Sequence, residues 1–182
     1  LAQRQTLADV LGKPAEEIPQ VFTPYKEVLD VYNRGLQLPD DVTIIWPDDN
    51  YGYMKRLSSP EEQKRSGRSG VYYHSSYLGR PHDYLWMNTT SPTLMYEELR
   101  KAYDSTADRV WLLNAGDIKS CEFAVDFFLA MAYDIDAFDF RRAAGYRAEW
   151  MSGLLGREHF DEFREISDAF YHLAFVRKPE FM

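Results

Sequence analysis

Three short runs of β-branched and aromatic residues, alternating with segments of helical pattern, constrain this chain more than any other feature. The runs are Val42-Thr-Ile-Ile-Trp46, Val71-Tyr-Tyr-His-Ser-Ser-Tyr77 and Arg109-Val-Trp-Leu-Leu113. Each has the length and residue types of a buried strand. Thr23-Pro24 reads as a helix start, with Thr as cap and Pro at the first position, Tyr25, Val28, Leu29 and Tyr32 on one face, and Gly35 as the stop. Ser59-Pro60-Glu61-Glu62 has the pattern of a capping box opening a second short helix, which Gly67 and Gly70 close. Ser91-Pro92 opens a third, with Leu94, Met95, Leu99 and Ala102 as its apolar positions. Gly79-Arg-Pro-His82 reads as a turn and Tyr84 to Met87 as a further extended run. After the third strand, Phe123 to Ala132, Phe138 to Leu155 and His159 to Phe175 are helical in pattern. Helix and strand therefore alternate before a helical tail, which predicts an α/β fold with parallel strands and helical crossovers. The pattern leaves open a doubly wound sheet or part of a (β/α)8 barrel. No linker or repeat interrupts it, so residues 1–182 read as one unit, with a β/α part over about 23–135 and a helical part over about 136–182.

Size narrows the choice of function. The chain has 182 residues, whereas a complete barrel enzyme needs about 250. It opens on Leu1 rather than Met, and Leu1 to Gly12 does not have the character of a signal peptide. Both features fit a segment of something longer. Three strands cannot close a barrel, so the sheet edges need covering by helices, by further chain or by a second copy in a homo-oligomer. A formal net charge of −8 disfavours nucleic acid. It also means that an anionic ligand would need local positive groups. No run of about 18 apolar residues is present, so no membrane span is expected. The single cysteine, Cys121, excludes an internal disulfide and a cysteine zinc cluster. Tyrosine, at 13 residues, outnumbers phenylalanine at 11. An apolar ring with a polar tip suits the C–H faces and hydroxyl edges of sugars, and equally suits a Tyr-rich core.

In α/β folds ligands meet the carboxyl ends of the strands, and polar loops occupy those positions here. The first is Trp46-Pro-Asp-Asp-Asn-Tyr-Gly52. One of its adjacent carboxylates can be held by hydrogen bonds while the other faces a cleft as acid or base. The same residues also make an ordinary turn. The second, Tyr73 to Trp86, gathers His74, Arg80, His82 and Tyr84. Arg80 could pair with a substrate carboxylate, or with Asp83 on the surface, and the histidines could donate to hydroxyls or be buried and satisfied. The third, Asn114-Ala-Gly-Asp117, offers an amide and a carboxylate to sugar hydroxyls, or a turn in which Asp117 caps the next helix. Asp134, Asp136 and Asp139 lack the rest of a calcium loop and read as helix caps. Nucleotide-binding glycine loops, a nucleophile elbow and a zinc-protease helix are all missing from the sequence.

Trp46-Pro-Asp-Asp-Asn-Tyr-Gly-Tyr, Gly70-Val-Tyr-Tyr-His-Ser-Ser-Tyr, Gly79-Arg-Pro-His-Asp-Tyr-Leu-Trp and Leu113-Asn-Ala-Gly-Asp-Ile-Lys together resemble the xylan α-1,2-glucuronidases of glycoside hydrolase family 115. The resemblance runs from about Thr23 through Phe138. It implies a partial (β/α)8 barrel from a large multidomain enzyme that removes glucuronic acid or its 4-O-methyl ether from O2 of xylose in glucuronoxylan. The implied hydrolysis inverts the anomeric centre, uses no metal or other cofactor, and takes place outside the cytoplasm, in a secreted, periplasmic or cell-surface protein. Under that resemblance the catalytic candidates are Asp48 and then Asp49. The substrate-binding candidates are Asn50, Tyr51, His74, Arg80, His82, Tyr84, Asn114 and Asp117. A segment short of a full barrel is expected to be inactive alone. The competing readings are a non-catalytic carbohydrate-binding α/β module, which would use the same aromatics without Asp48, and a structural domain whose Asp and Asn residues serve only turns and caps.

Overall fold

A computed structural model describes residues 2–77 and 87–179. Four strands, β1 (Val21–Phe22), β2 (Thr43–Pro47), β3 (Ser69–His74) and β4 (Ala107–Asn114), form one sheet in the order β1-β2-β3-β4. All neighbouring pairs are parallel. In this sheet each strand lies beside its predecessor. A doubly wound sheet reverses order at a switch point, whereas consecutive order is that of a (β/α)8 arc.

The helices are α1 (Ala2–Leu11), α2 (Glu27–Asn33), α3 (Pro92–Asp104), α4 (Ile118–Tyr133), α5 (Phe140–Leu155) and α6 (Phe160–Val176). Ile44, Ile45 and Trp46 are all buried, as expected for a parallel strand covered on both faces. The main core lies where Val71 and Tyr73 of β3 meet Met95 and Leu99 of α3, Phe127 and Phe128 of α4, and Ala143 of α5. Ser91 caps α3 by accepting from Leu94 N–H, and Asp139 caps α5 by accepting from Arg142 N–H. Asp134 likewise accepts from Ala137 N–H, while Asp136 pairs with Arg100.

Three local expectations are corrected. Strand β1 was not anticipated, and α2 starts at Glu27 rather than at Thr23-Pro24, because Lys26 has φ 53° and interrupts the turn. The Ser59–Glu62 capping box forms in both directions but introduces only a single 3-10 turn, Glu62–Lys64. Gly70 does not close that turn. It lies inside β3, where a Cβ would collide with the Val110 carbonyl at an irregularity in the β3–β4 register. The turn read at Gly79–His82 and most of the extended run after it lie outside the described residues.

Candidate active site

The β2–β3 register determines what the first loop can touch. Pro47 pairs with Tyr72, and Asp48 N–H continues the ladder by donating to the Tyr72 carbonyl at 3.1 Å. The next residues of the two strands are therefore Asp48 and the pair Tyr73-His74. Side chains alternate along a strand, so Tyr73 points into the core while Tyr72 and His74 share the opposite face.

Asp48 is 2% exposed and accepts three hydrogen bonds. Oδ2 takes His74 N–H at 2.9 Å. Oδ1 takes Asn50 N–H at 3.0 Å and lies 2.7 Å from His74 Nδ1. A carboxylate oxygen already serving a backbone N–H makes Nδ1 the donating nitrogen of the ring. The imidazole is buried as well. Tyr72 lies 4.3 Å from it between centroids, Tyr25 is nearly parallel at 5.9 Å, and Tyr77 meets it edge-on at 5.8 Å.

The loop beyond Asp48 is built by its own polar side chains. Asp49 Oδ1 accepts from Tyr51 N–H at 2.9 Å and Tyr53 N–H at 3.1 Å, while Asp49 N–H donates to the Tyr53 carbonyl at 2.8 Å. Asn50 and Gly52 take the left-handed conformations this requires, with φ 71° and 98°. Gly52 is doubly constrained, because a Cβ would press on Thr90 Cγ2 and the Tyr73 hydroxyl at 2.8 and 2.9 Å. Tyr73 donates to the Gly52 carbonyl at 2.9 Å, and its burial pushes the phenol well above its ordinary range. Tyr25 donates to Asn50 Oδ1 at 3.1 Å. Burial, and next the neighbouring Tyr77, push Tyr25 up to about 12, so it stays a donor at neutral pH.

A cavity of about 500 Å³ opens here, lined by Asp48, Asp49, Asn50, Tyr25, Lys26 and Tyr77 among others. Asp48 forms part of its floor. Asp49 is half-buried, and its second oxygen accepts no hydrogen bond among the described residues. Of the pair, Asp48 is thus held and Asp49 is available to the cavity.

The remaining candidates are distributed around this centre. Asn114, at the end of β4, donates through Nδ2 to the Tyr72 hydroxyl at 3.1 Å and so joins the aromatic wall of His74. Its carbonyl receives Ser75 N–H. Tyr51 faces elsewhere, lining a larger groove of about 980 Å³ with Leu94, Phe140 and Phe175. Asp117 is exposed at the N-cap position of α4 and makes no side-chain cap bond there. Arg80, His82 and Tyr84 lie outside the described residues. Sequence reasoning missed Tyr25, Tyr72 and Lys26. Tyr72 had a signal, since it stands two residues before His74 on a strand. Lys26 had none, since a regular helix start hides it. Among the described residues no group of His, Cys, Asp and Glu side chains is placed to hold a metal ion, and no helix is long and apolar enough to cross a membrane.

Comparison with known proteins gives these features a context. The family model described as Glycosyl hydrolase family 115 matches residues 1–181. Among solved structures, the chain is similar to BtGH115A, described as a family GH115 4-O-methyl-alpha-glucuronidase with specificity for decorated arabinogalactans. The two share 44% identity with a TM-score of 0.93 over 99% of this chain. The chain spans 24% of that protein's length. Comparison with curated proteins finds no match.

Proposed function

The chain belongs to glycosyl hydrolase family 115, and from that premise we propose that it forms part of the catalytic barrel of an α-glucuronidase, supplying one wall of the active site. The observation that carries this reading is the polar cavity at the carboxyl ends of adjacent parallel strands, with Asp48, held by the buried His74, in its floor and Asp49 beside it. Binding at that end of the strands is the rule for barrel enzymes. A buried carboxylate that already accepts three hydrogen bonds, beneath aromatic rings, is a positioning group, so Asp48 acts through His74 and the 50–54 loop. Asp49 keeps an oxygen for a proton or a water. Inverting hydrolysis without a metal needs a second carboxyl about 6.5–9.5 Å from the first, and a site completed by other barrel strands would provide it. Asn50 and Asn114 offer amides to sugar hydroxyls. A polysaccharide substrate places the enzyme outside the cytoplasm, as a secreted, periplasmic or cell-surface protein, and the segment alone lacks the groups to turn over.

The substrate has two readings. The resemblance favours glucuronoxylan, cleaved at O2 of xylose. The 44% identity to a protein with specificity for decorated arabinogalactans favours uronic acid removed from galactan side chains. Release of uronic acid from both polysaccharides by the full-length natural protein decides between them. Asp49→Asn in that protein should lose about 10²-fold or more in kcat with an unchanged melting temperature. Full activity in that variant moves the acid or base role off this segment. An inert wild type that still binds oligosaccharide favours the carbohydrate-binding module.

A further inference from the structure

The chain carries a net charge of −8, yet a uronic acid brings another negative charge into a cavity lined by Asp30, Asp48 and Asp49. Attraction at contact distance depends on the nearest cation rather than on the net charge, which salt screens within about 10 Å. Among the described residues two cations line the cavity, Lys26 and Lys55. The nearby guanidinium of Arg56 is committed to Glu62 and Asn33, and Arg65 to backbone carbonyls of residues 38–42.

Lys26 differs from Lys55 in being held in place. Its Nζ lies 5.3 Å from the Tyr25 ring centroid and 5.7 Å from that of Tyr77, the two rings that close over His74. Cation–π attraction positions an ammonium without neutralising it. Among the described residues Lys26 forms no ion pair. Its backbone has φ 53° and ψ −124°, a conformation that side chains other than glycine adopt only where the surroundings impose it. Held in this way, the side chain lines the cavity that also contains Asp49 and Asn50.

We infer that Lys26 receives the carboxylate of the uronic acid and so makes this cavity prefer an acidic sugar over a neutral one. The inference rests on the α-glucuronidase reading and adds the residue that senses the acid group. An ammonium is a point charge on a flexible stem, and its target is C6 of the sugar, so 4-O-methylation of the neighbouring oxygen leaves the contact intact.

The test uses the full-length natural protein with Lys26→Met, Lys26→Arg and Lys55→Met. Kinetics are measured on xylo-oligosaccharide carrying α-1,2-linked glucuronic acid, alongside inhibition by free glucuronate and by glucose at low and high salt. Lys26→Met is expected to raise KM and the glucuronate inhibition constant about tenfold, with kcat within about threefold and glucose inhibition unmoved. The salt dependence of glucuronate inhibition should shrink with it. Lys26→Arg should recover much of the loss, and methylated substrate should show the same ratio. Unchanged KM and inhibition in Lys26→Met, beside an active wild type, overturns the assignment. So does the same loss appearing in Lys55→Met instead. A wild type that releases no uronic acid from either glucuronoxylan or decorated arabinogalactan overturns the α-glucuronidase reading itself.

Discussion

Two concave regions share the loop after β2 and are built on opposite principles. The smaller cavity, about 500 Å³, has Asp48, Asn50 and Tyr25 tied to named partners and Asp49 with an oxygen left over. The larger groove, about 980 Å³, lies between Tyr51 and Tyr53 of the same loop, α3 and the end of α6, where Phe175 and Val176 are 82% and 70% exposed. The larger space sets an apolar strip, Leu94, Phe140, Phe175 and Val176, beside polar residues such as Thr90, Glu97 and Lys178. The smaller one offers directed donors and acceptors, which are what a hydrolytic site requires. The two spaces differ in how much exposed apolar surface they carry, and the cause is local. The loop's Asp side chains turn inward to bind its own N–H groups on one side, which leaves the tyrosine rings to furnish the other.

On that contrast, the largest effect of any single change comes from Asp48→Ala. Three donors, His74 N–H, His74 Nδ1 and Asn50 N–H, lose their acceptor in a buried place. Leaving buried donors unsatisfied costs on the order of 3 kcal/mol. The expected outcome is a clear fall in melting temperature of the full-length protein together with loss of activity. A variant that melts like wild type would mean that the pair is not the cavity's foundation.

Glu62 measures the same device at lower burial. Its side chain is 14% exposed where that of Asp48 is 0%, and it accepts from Ser59 N–H at 2.8 Å and the Tyr32 hydroxyl at 2.8 Å while pairing with Arg56 at 2.6 Å. Burial alone would raise this carboxyl, but those bonds outweigh it and hold the group below its ordinary value. A group depressed in the folded state stabilises fully above its unfolded value of about 4.3 and loses that contribution as pH falls through the folded value. Glu62→Gln should therefore destabilise by about 1 kcal/mol at pH 7, read as a lower melting temperature. The gap to wild type should narrow as pH drops below about 4. A gap independent of pH would place the effect in packing rather than in the carboxylate.

The contrast also explains what could be read in advance. Strands β2, β3 and β4 and helix α3 were legible because each carries a signal within its own few residues, a β-branched run or a Ser-Pro cap. Strand β1 spans only Val21 and Phe22, too short for any period. The loop at Asp48–Gly52 was legible as a loop from its Asp, Asn and Gly. Its partner was not, because His74 lies 26 positions away and reaches Asp48 only through the β2–β3 register. That register is a tertiary condition, set by the pairing of Ile44 to Pro47 with Ser69 to Tyr72. The order of Asp48 before Asp49 as catalytic candidates came with the family resemblance, whereas burial and hydrogen bonds leave Asp48 held in the cavity's floor and Asp49 with an oxygen to spare.

The smallest effect is expected at the other region. Phe175 is 82% exposed on α6, between Ala174, which is 4% exposed, and Val176. Truncation to Ala removes apolar surface that water already covers, so the transfer term that makes core truncations costly is nearly absent. A surface substitution of this kind stays within about 0.5 kcal/mol. In the full-length protein Phe175→Ala should therefore leave melting temperature and uronic acid release close to wild type, while Asp48→Ala moves both. A loss of 2 kcal/mol or more at Phe175 would show that this face of α6 is buried by the rest of the protein, since a ring gains that much only when removed from water. The groove would then be an internal seam of the larger enzyme, and the comparison of two open cavities would reduce to one active-site wall and one packing surface.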